Sequence, residues 1–160
     1  ILNIPIVAFT IFFYFSHLNY VYKLSGYTQE VVANYLGIDR KTYSNYENEN
    51  LIIPIKHLIS LCKFFDISID YVFGFSTLLI YKNYIWDNSL NSNRLKEFRK
   101  EKRLTQEKLA KMLNTTQANI ANYEKGKNII ATPYLYAICK KYNISADYIL
   151  GKVDSPKNLK

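Results

Sequence analysis

Between Arg94 and Gly151 the apolar residues recur every three or four positions, the period of helices buried along one face. Leu95, Phe98 and Arg99 share a face over 94–102. Thr105 is placed to cap a helix running through QEKLAKML, with Leu109, Met112 and Leu113 inward and Ala110 small enough for a close helix crossing. Asn114 tolerates the left-handed backbone that ends such a helix. Thr116 caps 117–124, which buries Ile120 and Tyr123 before Gly126 stops it. Thr132-Pro133 reads as a cap and first-turn proline, opening a helix with Leu135, Ile138, Cys139 and Tyr142 at core spacing. Ser145 caps a last short helix that Gly151 ends. No convincing strand run appears, so the pattern predicts five short helices.

The same pattern occurs twice. Shifted by 77 positions, residues 28–74 align without a gap on 105–151, and 18 of the 47 positions are identical, from Thr28/Thr105 to Gly74/Gly151. Leu18 and Leu95 extend the match backward. Two copies are too few for a solenoid, and the expected architecture is all-α, with two tandem five-helix domains. In the first copy Thr28 caps 29–36, Gly37 makes the turn, Asp39 caps 40–47 and Ser68 caps 69–73. The expected division is an apolar segment 1–15, a first domain 16–74, a linker 75–92 packed in part through Trp86, a second domain 93–152 and a tail 153–160.

Charge separates the copies. The chain carries +8 overall. Residues 1–80 hold five basic and six acidic residues, a net −1, so residues 81–160 hold the remaining 16 basic and 7 acidic, a net +9. A basic excess confined to one half favours a polyanionic partner, nucleic acid or an anionic membrane. Cys62 and Cys139 form neither a metal cluster nor a disulfide framework, and read as small buried residues in a cytoplasmic protein. His17 and His57 are isolated, and no nucleophile–base pairing, phosphate-binding glycine loop or metal-ligand spacing occurs, so neither catalysis nor a cofactor is expected. The chain starts at Ile1, which is expected of a fragment or a processed product. Residues 1–15 are almost wholly apolar but short of the ~20 that span a membrane, and Pro5 interrupts them. Three readings stay open for them: the end of a membrane span touching the bilayer, a helix covering the first domain, or non-native sequence.

Two helices joined by a three-residue turn, with a small residue in the first and Gly or Asn at the turn, form a helix-turn-helix. LTQEKLAKMLNTTQANIANYEKGK (104–127) resembles the Cro and lambda-repressor-like family, also called the xenobiotic-response-element family. GYTQEVVANYLGIDRKTYSNYENEN (26–50) is similar to it too. The resemblance covers about 18–74 and 94–151, and the downstream Leu…Cys…Ile-Ser…Asp-Tyr…Gly repeats in both copies.

The resemblance implies double-stranded DNA as partner and transcriptional regulation, in the manner of a repressor, with 40–47 and 117–124 as recognition helices in the major groove. Gln106 then opens the first motif helix at a phosphate, and Gln29 stands at the same place in the first copy. Gln117, Ala118, Asn119 and Asn122 face outward. Gln and Asn pair bidentately with adenine and Ala touches the thymine methyl, while Lys125 and Lys127 hold phosphates. The first copy presents Arg40, Lys41, Thr42 and Asn45, of which Arg and Lys favour guanine. Against it stand the net −1 of this half, Glu49 in place of Gly126, and Tyr43 in place of an Ile-like core residue. The first copy therefore reads either as a second DNA reader or as a degenerate copy kept for packing or dimerisation. Arg99 and Glu124 resemble a buried ion pair of phage repressors. The first copy keeps Glu47 but has Tyr22 for the arginine, and the Tyr22 hydroxyl is expected to bond Glu47. An 18-residue linker extends to about 60 Å, more than the ~34 Å between half-sites. One chain acting as a pseudo-dimer and a homodimer using the second domain are both open, as is a protein-interaction module, antitoxin or adaptor, on the same fold.

Overall fold

The computed structural model describes residues 14–80 and 91–156, and these fall into two compact units divided between residues 80 and 81. The first holds α1 (Tyr14–Ser25), α2 (Gln29–Leu36), α3 (Arg40–Glu47), α4 (Ile55–Phe65) and α5 (Ile69–Val72). The second holds α6 (Asn91–Glu101), α7 (Gln106–Met112), α8 (Gln117–Glu124), α9 (Thr132–Tyr142) and α10 (Ala146–Ile149). No strand occurs among the described residues, and α3, α4 and α5 coincide with α8, α9 and α10 after a shift of 77.

Local chemistry fixes the helix ends. Thr28, Asp39, Ser68, Thr105, Thr116 and Ser145 each accept, through the side chain, the backbone N–H three residues on. Each bond satisfies a donor that a helix start leaves orphaned. Thr132 departs from expectation. It is the first helical residue, Ala131 is the cap and makes no side-chain bond, and Pro133 follows Thr132. Thr132 occupies the place of Ile55, and both are buried, so the core claims the side chain that the cap would use.

The left-handed residues repeat as well. Gly26/Arg103, Gly37/Asn114, Glu49/Gly126, Asp66/Asn143 and Gly74/Gly151 all have positive φ. The turn after the recognition helix demands this conformation: Gly126 takes it at φ 70°, and Glu49 takes it at φ 60° with a side chain attached.

The cores are built from matching positions. Leu18, Ala33, Tyr43, Leu58, Cys62 and Ile67 in the first unit correspond to Leu95, Ala110, Ile120, Leu135, Cys139 and Ile144 in the second, and all are buried. Both cysteines are free. Tyr123, expected inside, is only half-buried, whereas its counterpart Tyr46 is buried.

The stretch read as a linker contributes to both units. Phe75 and Ser76 donate backbone N–H bonds to the Asp70 carbonyl and Leu79 accepts from Ser68, so 75–80 pack on the first unit. Asn91 and Ser92 already belong to α6. Trp86 lies outside the described residues, as do positions 1–13. Among the described residues no helix is long and apolar enough to cross a membrane.

Candidate nucleic-acid interface

In the second unit α7 and α8 form the helix-turn-helix, and an ion pair ties α8 to α6. The Arg99 guanidinium donates to Glu124 through Nε at 2.5 Å and Nη2 at 2.9 Å, and through Nη1 to the Leu104 carbonyl at 2.8 Å. The Glu124 side chain is 3% exposed and that of Arg99 13%. Gln106 Nε2 adds a third donor at 2.9 Å. Burial alone pushes the Glu124 carboxyl upward, but the Arg99 and Gln106 bonds and the charges of Arg99 and Lys96 outweigh it and hold the group below its ordinary range. The bonds to Glu124 and its charge raise Arg99 against an opposing effect of burial.

With Glu124 satisfied from behind, the front of α8 is open. Gln117, Ala118 and Asn119 are exposed on its first turn, Asn122 is half-exposed, and Lys125 and Lys127 stand exposed after its last. Asn119 is not wholly free: its Nδ2 donates to Thr115 Oγ1 at 2.9 Å, which spends one of its two amide hydrogens. Thr115 is the residue the sequence reading missed. It precedes the capping Thr116, and the capping pattern in the sequence marks only the second threonine. Gln106, placed by resemblance at a phosphate, spends one amide hydrogen on Glu124 and so also locks α7 to α8.

The first unit keeps the carboxylate and loses the cation. Glu47 accepts from Gln29 Nε2 at 2.5 Å and from the Tyr43 hydroxyl, and Asn19 bonds its backbone carbonyl at 3.3 Å. The expected Tyr22–Glu47 hydrogen bond is not formed. Tyr22 stacks edge-on against Tyr43, 5.9 Å between ring centroids, and Tyr43, fully buried in the place of Ile120, reaches the carboxylate first. Neutral donors do not offset desolvation, so burial holds Glu47 above the ordinary glutamate range. Burial, with Glu47 nearby, also raises Tyr22, against a smaller opposing effect of Arg40, and raises Tyr43 strongly.

Three of the outward residues of α3 are tied to residues outside the helix. Arg40 Nε donates to Gln29 Oε1 at 3.0 Å, the Thr42 hydroxyl to Asp39 Oδ2 at 2.6 Å, and Asn50 Nδ2 to Asn45 Oδ1 at 3.5 Å. Thr42 thereby holds Asp39 low. Among the first copy's candidates, Lys41 alone has an exposed side chain that makes no hydrogen bond or ion pair among the described residues.

Comparison with known proteins agrees with this geometry. The helix-turn-helix family of the Cro/C1 type matches residues 19–72 and again 95–149. The chain is 39% identical over 64 residues to the HTH-type transcriptional regulator ImmR of Bacillus subtilis, covering 40% of this chain and 50% of that protein. It is 34% identical over 61 residues to the uncharacterized HTH-type transcriptional regulator YobD of the same organism, covering 38% of this chain and 54% of that one. The chain thus spans about half the length of the curated relatives it matches. No solved structure matches it significantly. Two family matches that together take in most of the chain, each laid over a helix-turn-helix capped at matching positions and ending its second helix on a glutamine-bound glutamate, leave one assignment: the chain belongs to the Cro/C1-type helix-turn-helix family and carries the domain twice.

Proposed function

We propose that the chain is a sequence-specific double-stranded DNA-binding regulator of transcription, a cytoplasmic repressor whose second domain reads the major groove through α8. The observation that carries this reading is the open first turn of α8, with Gln117 and Ala118 exposed beside Asn119, and with Lys125 and Lys127 at the other end. Gln117 offers a paired donor and acceptor to adenine, Ala118 a methyl contact to thymine, and the Asn119 oxygen an acceptor to a base amino group. The lysines and the half-buried Gln106 fix the backbone register. The names of the two relatives, both regulators, point the same way. The +9 of residues 81–160 supplies long-range attraction to a polyanion.

The test is selection of the full chain against a random duplex pool at near-physiological salt. A short motif should be enriched, and Gln117→Ala should flatten preference at one position by roughly 1–3 kcal/mol. Lys125→Ala and Lys127→Ala should instead weaken binding to all sequences and each lower the salt slope by about one. Binding without any enriched motif would overturn the reading in favour of a protein-interaction module.

A further inference from the structure

We infer that the first domain is a self-association module, pairing with the same domain of a second copy of the chain through the outer face of α1 and α2. Among the described residues, the large apolar side chains left exposed all belong to the first unit. Five of them form a run at one-turn spacing. Tyr20 and Leu24 lie on α1, and Tyr27, Val31 and Tyr35 follow across the turn and along α2, between 43% and 69% exposed. Phe64 of α4 ties the α2 side together, with its ring 4.9 Å from that of Tyr27 and 4.7 Å from that of Tyr35.

The second domain serves as an internal control. It has the same fold, and it carries Glu97 for Tyr20, Glu101 for Leu24, Lys108 for Val31 and Lys141 for Phe64, all exposed, while Tyr27 and Tyr35 have the half-buried apolar counterparts Leu104 and Met112. The fold therefore does not require apolar residues at the Tyr20, Leu24, Val31 and Phe64 positions, and a contact made by that face does. An uncovered apolar run in water is an aggregation liability and marks a contact surface.

Area and charge select a second copy as the occupant. At about 200 Å² for a fully exposed large side chain, the five expose roughly 500 Å² together. Two copies face to face would therefore bury about 1,000 Å² from these side chains alone, at the threshold of a stable interface before any rim is counted. The flanking charges are of both signs, Lys23, Arg40 and Lys63 with Glu30 and Asp66. Such a rim does not repel its own image, which a two-fold contact requires. A basic or acidic partner would find no complementary field. The aromatic content suits such a contact, since Tyr adds large area at little conformational cost.

Sedimentation equilibrium of the full chain without DNA tests this independently of base reading. The chain should sediment as a dimer in the micromolar range. Leu24→Glu with Val31→Lys, which installs the second domain's own residues, should raise the dimer dissociation constant about a hundredfold, because each charge must be desolvated to pair. Tyr20→Glu with Leu24→Glu, confined to the α1 surface, repeats the test should α2 not tolerate the change. The melting curve by circular dichroism should be preserved in the monomeric variant, and selection on duplex DNA should return the same short motif. A wild-type chain that is monomeric up to about 100 μM, or a folded double variant that stays dimeric, would overturn the inference.

Discussion

Replacing Glu124 with Gln keeps the shape and removes the charge that closes the second domain. In the native fold the carboxylate is 3% exposed and accepts three bonds, two of them from the Arg99 guanidinium. Removing one partner of a buried pair costs about 3–5 kcal/mol when the other charge is stranded. Arg99 is not wholly stranded, because it retains the Leu104 carbonyl at 2.8 Å and is 13% open to water. The lower end therefore applies, about 3 kcal/mol, or a little more than a hundredfold in the opening equilibrium. Glu47→Gln in the first domain is the matched control. There the donors are Gln29 and Tyr43, both neutral, and burial already disfavours the charge. Its cost should be below about 1 kcal/mol, the size of an ordinary neutral hydrogen bond. Hydrogen exchange read on separate peptides resolves the domains without treating the chain as two-state. Amides of α8 should exchange about a hundredfold faster in Glu124→Gln, and those of α3 in Glu47→Gln less than tenfold faster. Equal effects in the two domains, or unchanged exchange in α8, would refute the assignment of the ion pair as the closure of the second domain.

Two further outcomes follow from the same geometry. Glu49→Gly should stabilise the first domain by roughly 0.5–1 kcal/mol in urea unfolding, since a left-handed non-glycine residue costs about 1–2 kcal/mol and glycine returns part of that as backbone entropy. The two glutamates, Glu124 buried and Glu47 half-buried, should also respond oppositely to acid. Glu124 is held below the ordinary glutamate value of 4.5, so its contribution is complete above 4.5 and is lost as pH falls through its depressed folded value. Glu47 is held above 4.5, so its contribution is complete below 4.5 and is lost as pH rises through its raised folded value. Thermal unfolding across this range should show each Gln variant losing the matching dependence, and both glutamates shifting in the same direction would contradict the geometry.

The helical fold was legible because it rests on local rules that leave marks in the chain. A capping Thr, Asp or Ser, a Gly or Asn at the turn and a 3.6-residue apolar period placed nearly every helix end and most of the core. The buried Arg99–Glu124 pair was legible by resemblance, and the structure forms it. The failures arise where several side chains compete for one place in three dimensions. Tyr22 and Tyr43 both stand close enough to Glu47 to feel its charge, and which one bonds it depends on depth, which sequence spacing does not encode. Thr132 looked like a cap, yet its position is one that the core needs. The bonds from Thr115 to Asn119, Arg40 to Gln29 and Thr42 to Asp39 link polar residues that are each plausible alone as base or phosphate contacts. Residue type gave their capacity for hydrogen bonding, and only geometry shows where that capacity is spent.

The two copies share what folding requires and differ in what it leaves free, which is why their differences bear on function. Caps, left-handed positions, paired core residues and a glutamine-bound glutamate are common to both. Where the fold imposes nothing, the divergence takes opposite directions. The second copy keeps the guanidinium behind its recognition helix, leaves polar side chains open at the front and carries charge on the outside of α6 and α7. The first lacks the guanidinium, its Arg40, Thr42 and Asn45 bond Gln29, Asp39 and Asn50, and apolar residues occupy the outside of α1 and α2. The second domain opens polar side chains and the first apolar ones, on different faces of the same fold, and a contact surface placed differently in each accounts for both at once.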